Sequence, residues 1–139
     1  MLSDSYLKEI SEFLKEDKKK KTKEIVYFVA RPNWKNIFKI GRTTFLLKHN
    51  NYLEALKYRL KHLNNTSLRT SEFFEIRYAW ISLHDTTTEK AIHEKFKKFR
   101  ESPKREFFLI NSLKIDKLLL KTPKKHLKII CSPLNKIKI

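Results

Sequence analysis

The sequence predicts an α+β domain in which a small antiparallel β-sheet is flanked by helices. Runs of β-branched and aromatic residues, typical of strands, occupy residues 24–31, 36–43 and 72–83. Apolar residues three or four positions apart, typical of amphipathic helices, recur in residues 51–63 and 86–100. At 139 residues the chain is long enough for one such domain and too short for two ordinary ones.

The predicted sheet consists of a hairpin and a third strand. Its first two strands read EIVYFVAR and NIFKIGRT, and Pro32 and Asn33 between them are typical turn residues. A short connection of this kind predicts that the two strands pair as a β-hairpin. Residues 72–83, EFFEIRYAWISL, supply the third strand. HLKIIC, near the C-terminus, is a candidate last strand.

Helices are predicted before, between and after the strands along the chain. Residues 3–16 predict an extra N-terminal helix, and residues 51–63 carry leucines on one face. The helix at 86–100 points Ile92, Phe96 and Phe99 to the core and ends before Pro103. SLKIDKLLLK predicts a final helix after the short extended segment REFFLI.

Three segments follow from this order. Residues 1–23 join the N-terminal helix to the basic run KKKKTK, which is either a solvated linker or an arm over a phosphate backbone. Residues 24–111 hold the principal domain, and residues 112–139 hold the last helix and a basic tail.

Charge is the strongest compositional signal. The chain has 32 Lys and Arg against 15 Asp and Glu, a formal net charge of +17. Such a field attracts polyanions, and neutralising phosphates releases counterions, so a nucleic-acid partner is predicted. An anionic membrane surface and an acidic protein are the alternatives that charge alone leaves open.

Cysteine content and hydropathy favour an intracellular protein. Cys131 is the only cysteine, which excludes an internal disulfide and a thiolate metal cluster, and it is expected to be a small buried apolar residue. No run approaches the ~18 apolar residues of a membrane span, and the N-terminus lacks the apolar region of a signal peptide. The expected location is the cytoplasm, or the cytoplasm or nucleus of a host cell for a viral protein.

The one glycine of the chain, Gly41, lies inside the second predicted strand, in KIGRT. An isolated strand glycine indicates a bulge or a close approach to the backbone. Eleven residues separate Lys39, at the start of this motif, from Tyr27, at the end of Ile25-Val26-Tyr27. Further blocks are YRLKHLN at 58–64, EKAIH at 89–93 followed by Phe96, and REFF at 105–108.

These blocks, in this order, resemble the GIY-YIG nuclease superfamily, whose two name-giving tripeptides lie on adjacent strands of a hairpin. They are most similar to the branch named after a bacteriophage T5 open reading frame, found in phages and large DNA viruses, in which the second motif commonly reads KIG. The resemblance covers residues 24–111. Ile25 stands where the superfamily has the first glycine, Lys39 stands where it has the second tyrosine, and residues 44–53 are an insertion.

The resemblance implies a role for each matching residue. Tyr27 is the candidate base or water-orienting residue, Lys39 a local positive charge, Arg59 the cation that holds the phosphate, and Glu89 the ligand of Mg²⁺ or Mn²⁺. His93, one helical turn after Glu89, either touches the site or packs against the sheet. The residues expected to contact substrate are Gly41, Arg42, Lys48, Lys61, Lys97 and Arg100.

Two of these assignments have structural alternatives. Thr86-Thr87-Thr88-Glu89 also fits a capping box, in which the Glu89 side chain returns to the backbone N–H of Thr86. In the insertion, Lys48 and His49 are expected to contact the substrate backbone, whereas Phe45 and its two following leucines alternatively extend the strand and pack on the core.

The sequence thus predicts a metal-dependent endonuclease that cuts DNA, one strand per active site. The alternative is a nucleic-acid-binding module that has kept the fold and lost the chemistry. A third hypothesis is an interaction protein whose basic surface docks an acidic partner. The number of subunits is not predicted.

Overall fold

The structure is a computed structural model that describes residues 22–64, 73–100 and 107–133. The predicted N-terminal helix, most of the basic run, and Arg105 and Glu106 of the REFF block lie outside these residues. The described residues form a five-stranded antiparallel sheet flanked by three α-helices, which confirms the predicted α+β class. In this part of the chain no helix combines the length and the apolar character needed to cross a membrane.

The elements follow one another in the predicted order. They are β1 (Thr22–Ala30), β2 (Ile37–Leu46), α1 (Tyr52–Leu63), β3 (Glu75–Ser82), α2 (Glu89–Lys95), β4 (Phe107–Leu109), α3 (Ser112–Lys121) and β5 (Leu127–Cys131). In the sheet the strands are arranged β4-β2-β1-β3-β5, and every neighbouring pair is antiparallel.

The sheet is larger than the predicted hairpin plus third strand. β1 and β2 form the expected hairpin, in which Tyr27 lies opposite Gly41. β4 and β5 add one strand at each edge. β4 is only three residues long, too short for a periodic signal, and becomes a strand because β2 offers it a pairing edge. β5 confirms the candidate strand in HLKIIC.

The central strand β1 is buried on both sides, because helices cover both faces of the sheet. Tyr27 and its odd-numbered neighbours point to the face covered by α1, through Leu56. Phe28 and its even-numbered neighbours point to the face covered by α2 and α3, through Ile92 and Ile115. We call these the α1 face and the α2–α3 face.

α1 is also tied to the start of β3 by a side chain. The amide of Asn64, at the C-terminal end of α1, accepts from the backbone N–H of Phe74 at 2.8 Å and donates to its carbonyl at 3.2 Å. Both backbone groups of Phe74 are therefore satisfied by one residue, which fixes the orientation of α1 over the sheet.

The predicted helix at 86–100 is interrupted. A 3₁₀ turn covers Asp85–Thr87, α2 covers Glu89–Lys95, and a second 3₁₀ turn covers Lys97–Phe99. Thr88 caps α2, accepting from the N–H of Ala91 at 3.2 Å. The capping-box alternative for Glu89 is therefore wrong: Glu89 is the first helical residue, and the N–H of Thr86 is bound by His84 instead.

The insertion at 44–53 divides into a packed and an exposed part. β2 continues to Leu46, and Phe45 is buried against the ring of Tyr52, with ring centroids 5.9 Å apart. Lys48 and His49 follow in the 3₁₀ turn Leu47–His49 and are exposed. Phe45 thus packs as the structural alternative predicts, but the predicted packing is wrong for Leu46 and Leu47, which are 43% and 41% exposed. Lys48 and His49 stay accessible.

Candidate active site

A polar cleft of about 390 Å³ opens beside the second half of β2. β4 pairs with β2 only at Ile37, Phe38 and Lys39, so in the described part of the chain its pairing ends before Gly41. The cleft is lined by Gly41, Arg42, Thr43, Thr44, Arg59 and Glu89. The cleft therefore lies at the edge of β2, beyond the point where its pairing with β4 ends.

Arg59 and Glu89 reach this cleft from opposite directions. α1 lies on the α1 face, and α2 packs on the α2–α3 face, yet the side chains of both residues line the same space at the edge of β2. Tyr27 and Lys39 lie on the paired strands β1 and β2, as expected for the two motifs. Arg59 and Glu89, carried by helices on opposite faces of the sheet, thus line one cleft beside the hairpin.

Tyr27 lies directly behind the cleft. Its side chain is 1% exposed, and its hydroxyl accepts a hydrogen bond from Nε of Arg59 at 2.9 Å. Because Nε is fixed by this bond, the plane of the guanidinium is fixed as well. The tyrosine holds the arginine that faces the cleft.

Gly41 is required by the approach of this tyrosine. A Cβ atom at residue 41 would lie 2.5 Å from the Tyr27 hydroxyl oxygen and 2.6 Å from Cζ. The β1–β2 register runs through Gly41 without a shift, and Gly41 does not have a positive φ. Of the two expectations for an isolated strand glycine, the close approach is correct, and the group that approaches is the protein's own Tyr27 ring.

Glu24 is a part of the site that the sequence analysis missed. Its Oε1 lies 3.2 Å from a guanidinium nitrogen of Arg42, and its Oε2 accepts from the backbone N–H of Glu89 at 2.8 Å. One carboxylate therefore ties β1 to β2 and to the first residue of α2. The hairpin register contained the signal, since pairing Tyr27 with Gly41 makes Glu24 and Arg42 diagonal neighbours on one face.

His93 lies beside Glu89 and beneath the cleft. Its Nε2 is 3.0 Å from the carbonyl oxygen of Ile40 and 3.8 Å from Oε1 of Glu89. A carbonyl only accepts, so Nε2 carries the proton and donates to Ile40. The ring is also tilted against Phe108, at 5.0 Å between centroids. His93 thus packs against β2 and β4 on the α2–α3 face and does not line the cleft.

Lys39, predicted as a local positive charge of the site, and the remaining predicted substrate contacts do not line the cleft. Lys39 is half-buried on the strand two residues before Gly41, and Arg100 lies over the ring of Phe108 at 5.6 Å. Lys97 pairs with Glu94 at 2.8 Å, and that carboxylate raises the pKa of the Lys97 amine. Lys48 and Lys61 are exposed, on the 3₁₀ turn after β2 and on α1 respectively.

The donor set fits a hard divalent cation. Among the lining residues Glu89 supplies a carboxylate, and its side chain is 19% exposed. Mg²⁺ and similar ions need one or two carboxylates, with water and phosphate oxygens completing the coordination. The residues that the structure describes contain no group of three His, Cys, Asp or Glu that would hold a structural zinc.

Comparison with known sequences gives one match. Residues 24–122 match the T5orf172 domain, a stretch that includes the whole cleft and all of α3. No curated protein and no solved structure matches the chain. The matched domain is nuclease-related and GIY-YIG-like. Since the match spans more than half of the sequence, the chain belongs to the T5orf172 domain family.

Proposed function

We propose that this protein is a metal-dependent endonuclease that hydrolyses phosphodiester bonds of DNA, with KIG as its variant second motif. The observation that supports it most is the convergence of Arg59 and Glu89 on one polar cleft, with Tyr27 holding the arginine. A phosphate-binding cation and a metal-binding carboxylate are the two groups that phosphodiester hydrolysis needs close together. The net charge of +17 suits a polyanionic substrate.

Arg59 is the residue to which we assign the phosphate. A guanidinium is planar and permanently charged, and it donates several hydrogen bonds in a fixed fork that matches phosphate oxygens. Its bond to Tyr27 reduces the orientations it can adopt. Charge that develops on the phosphate in the transition state is then met by a donor already in place.

Glu89 is the residue to which we assign Mg²⁺ or Mn²⁺. When bound, the ion supplies positive charge for the phosphate oxygens and lowers the pKa of a coordinated water. Glu24 holds the backbone at Glu89, so the carboxylate starts from a fixed position. Arg42 lines the same cleft and adds positive charge on the substrate side.

The burial of Tyr27 argues against both roles that the resemblance implies for it, base and water-orienting residue. The hydroxyl is covered by Gly41 and bonded to Arg59, and the side chain is 1% exposed. We therefore assign Tyr27 to positioning Arg59 rather than to taking a proton from water directly. Lys39, half-buried on the same strand as Gly41, contributes a local positive charge.

The second candidate is a nucleic-acid-binding module without catalysis. Lys39 in place of the second motif's tyrosine and the burial of Tyr27 favour it, because both reduce the number of groups able to move a proton. The charge of the chain would serve either function equally.

Plasmid nicking separates the two candidates. Supercoiled plasmid is incubated with the full chain and Mg²⁺ or Mn²⁺, and with excess chelator in parallel. We expect nicked circles with metal and none with chelator, and we expect Glu89→Ala to lower the rate by about 100-fold or more while DNA affinity is kept.

Glu94→Ala is the matched control, because Glu94 lies on the same helix and its side chain is 71% exposed, away from the cleft lining. It should cleave like the parent protein. Binding without metal-dependent nicking would assign the protein to the second candidate, and equal losses in both variants would remove Glu89 from the site.

A further inference from the structure

On its outer side α1, the helix that carries Arg59, presents two aromatic rings to solvent. Tyr58 is 71% exposed, and its ring is stacked on that of His62, with centroids 5.9 Å apart and ring planes 21° from parallel. Tyr58 buries little apolar surface, so it contributes little to folding. A flat, accessible pair of rings is more readily explained by something that stacks on it.

The position of this pair relates it to Arg59. Tyr58 directly precedes Arg59 on α1, and His62 follows Arg59 by three residues. With 100° per residue, both rings project from the same side of Arg59, at about 100° and 60° around the helix axis. Because the two residues are consecutive on the helix, a strand whose phosphate is held at Arg59 would pass within a few nucleotides of the Tyr58 ring.

The charges around the rings indicate a polyanion. Lys57 and Lys61 flank Tyr58 on α1, and both are exposed. Single-stranded nucleic acid is bound by this combination, in which cations follow the backbone and aromatic rings stack on bases. Bases inside a duplex are already stacked on one another and do not offer a face.

We infer that the Tyr58–His62 pair is a stacking platform for an unpaired base. The substrate of the proposed nuclease would then be DNA that is single-stranded or branched next to the bond that is cut. This inference rests on the proposed function for the phosphate at Arg59, but base stacking itself requires no cleavage.

Binding without metal tests it. The full chain carrying Glu89→Ala is titrated, in chelator, against a labelled single-stranded oligonucleotide and a blunt duplex of equal length. We expect adding Tyr58→Ala to weaken single-strand binding by about 5-fold or more, the effect of removing one base stack, and duplex binding by less than about two-fold. Tyr58→Trp should retain single-strand binding because it keeps a flat ring.

Leu120→Ala is the control, since Leu120 is 85% exposed and lies on α3. It should leave both affinities unchanged. Equal weakening of single-strand and duplex binding by Tyr58→Ala would overturn the inference, and so would unchanged single-strand binding, which would leave the rings to a protein partner. Because nothing is cleaved in this assay, the expected selectivity would support the inference even if the parent protein did not nick plasmid and the proposed function were rejected.

Discussion

The two halves of β2 differ in what their side chains do. In the first half, Phe38 is 4% exposed, pairs with Phe108 of β4 and packs edge-on against Phe28 at 6.1 Å. In the second half, the run Gly-Arg-Thr-Thr at 41–44 pairs with β1 and lines the cleft. One strand therefore serves the core where β4 covers its edge and the site where that pairing stops.

A second groove, near the start of β2, shows that size alone does not identify a site. It has a volume of about 570 Å³, larger than the cleft. Its lining is Asn33, Trp34, Lys35, Asn36, Ile37, Leu109, Asn111 and Lys114, which includes no carboxylate and no arginine. We place the site in the smaller cleft, because that is where a carboxylate and a hydrogen-bonded arginine meet.

The largest expected effect on stability comes from a substitution in the first half of β2. Phe38→Ala leaves a cavity among aromatic rings and should lower the free energy of unfolding by about 3–5 kcal/mol. Denaturant unfolding measures it. DNA affinity, measured where the variant is folded, should stay within about two-fold, because Phe38 does not line the cleft. A large loss of affinity in the folded variant would mean that the two halves are not separable.

A smaller stability effect and a larger functional one are expected in the second half. Gly41→Ala introduces a methyl group that must displace the Tyr27 ring. Overpacking of this kind lowers the free energy of unfolding by about 1–3 kcal/mol. Displacing Tyr27 also moves Arg59, so metal-dependent cleavage should fall by about 100-fold.

Tyr27→Phe is the comparison for this variant, since it removes the bond to Arg59 without a clash. It should lower the free energy of unfolding by about 1 kcal/mol. It should also lower the rate of cleavage less than Gly41→Ala does. If Gly41→Ala cleaves like the parent protein, the contact between Gly41 and Tyr27 serves packing alone.

The elements that were predictable from sequence are those with a pattern of their own, and the others depend on contacts with distant parts of the chain. β1, β2 and β3 have long runs of β-branched and aromatic residues, α1 has a helical periodicity, and each was predicted to within three residues at either end. β4 was predicted only as part of the short extended segment REFFLI, because three residues are too few to show alternation and it is the pairing with β2 that makes them a strand. The break in the helix at 86–100 was missed because Phe96 and Phe99 keep a helical spacing across it.

Predicting the site depended on long-range geometry. The hairpin motifs and the family blocks identified Gly41, Arg42, Arg59 and Glu89, and the structure brings all four to one cleft. Glu24 was missed because its two contacts combine the β1–β2 register with the exact start of α2. Exposed cations such as Lys97 belong to no pattern that fixes their distance from the cleft, and Lys97 faces Glu94 instead.

The smallest expected effect on stability is just beyond the second half of β2. Lys48 and His49 lie on the 3₁₀ turn Leu47–His49, both exposed, where the strand that lines the cleft ends. Replacing both with Ala should change the free energy of unfolding by no more than about 0.5 kcal/mol, as exposed substitutions usually do. DNA affinity should nevertheless fall, and its dependence on salt should become shallower by about one unit of slope for each phosphate that the variant no longer binds.

Lys117→Ala is the control for charge, because Lys117 is exposed on α3 and the substitution also removes one lysine. Both variants weaken the overall field of the protein by a similar amount, so a difference between them reports a local interaction with DNA. Affinity measured over a salt series separates the two effects: removing a phosphate-binding side chain changes the slope, whereas a change in conformation shifts the affinity at every salt concentration. If Lys48 and His49 behave like Lys117, the interface ends with the cleft, and its phosphates are bound by Arg42 on β2 and Arg59 on α1.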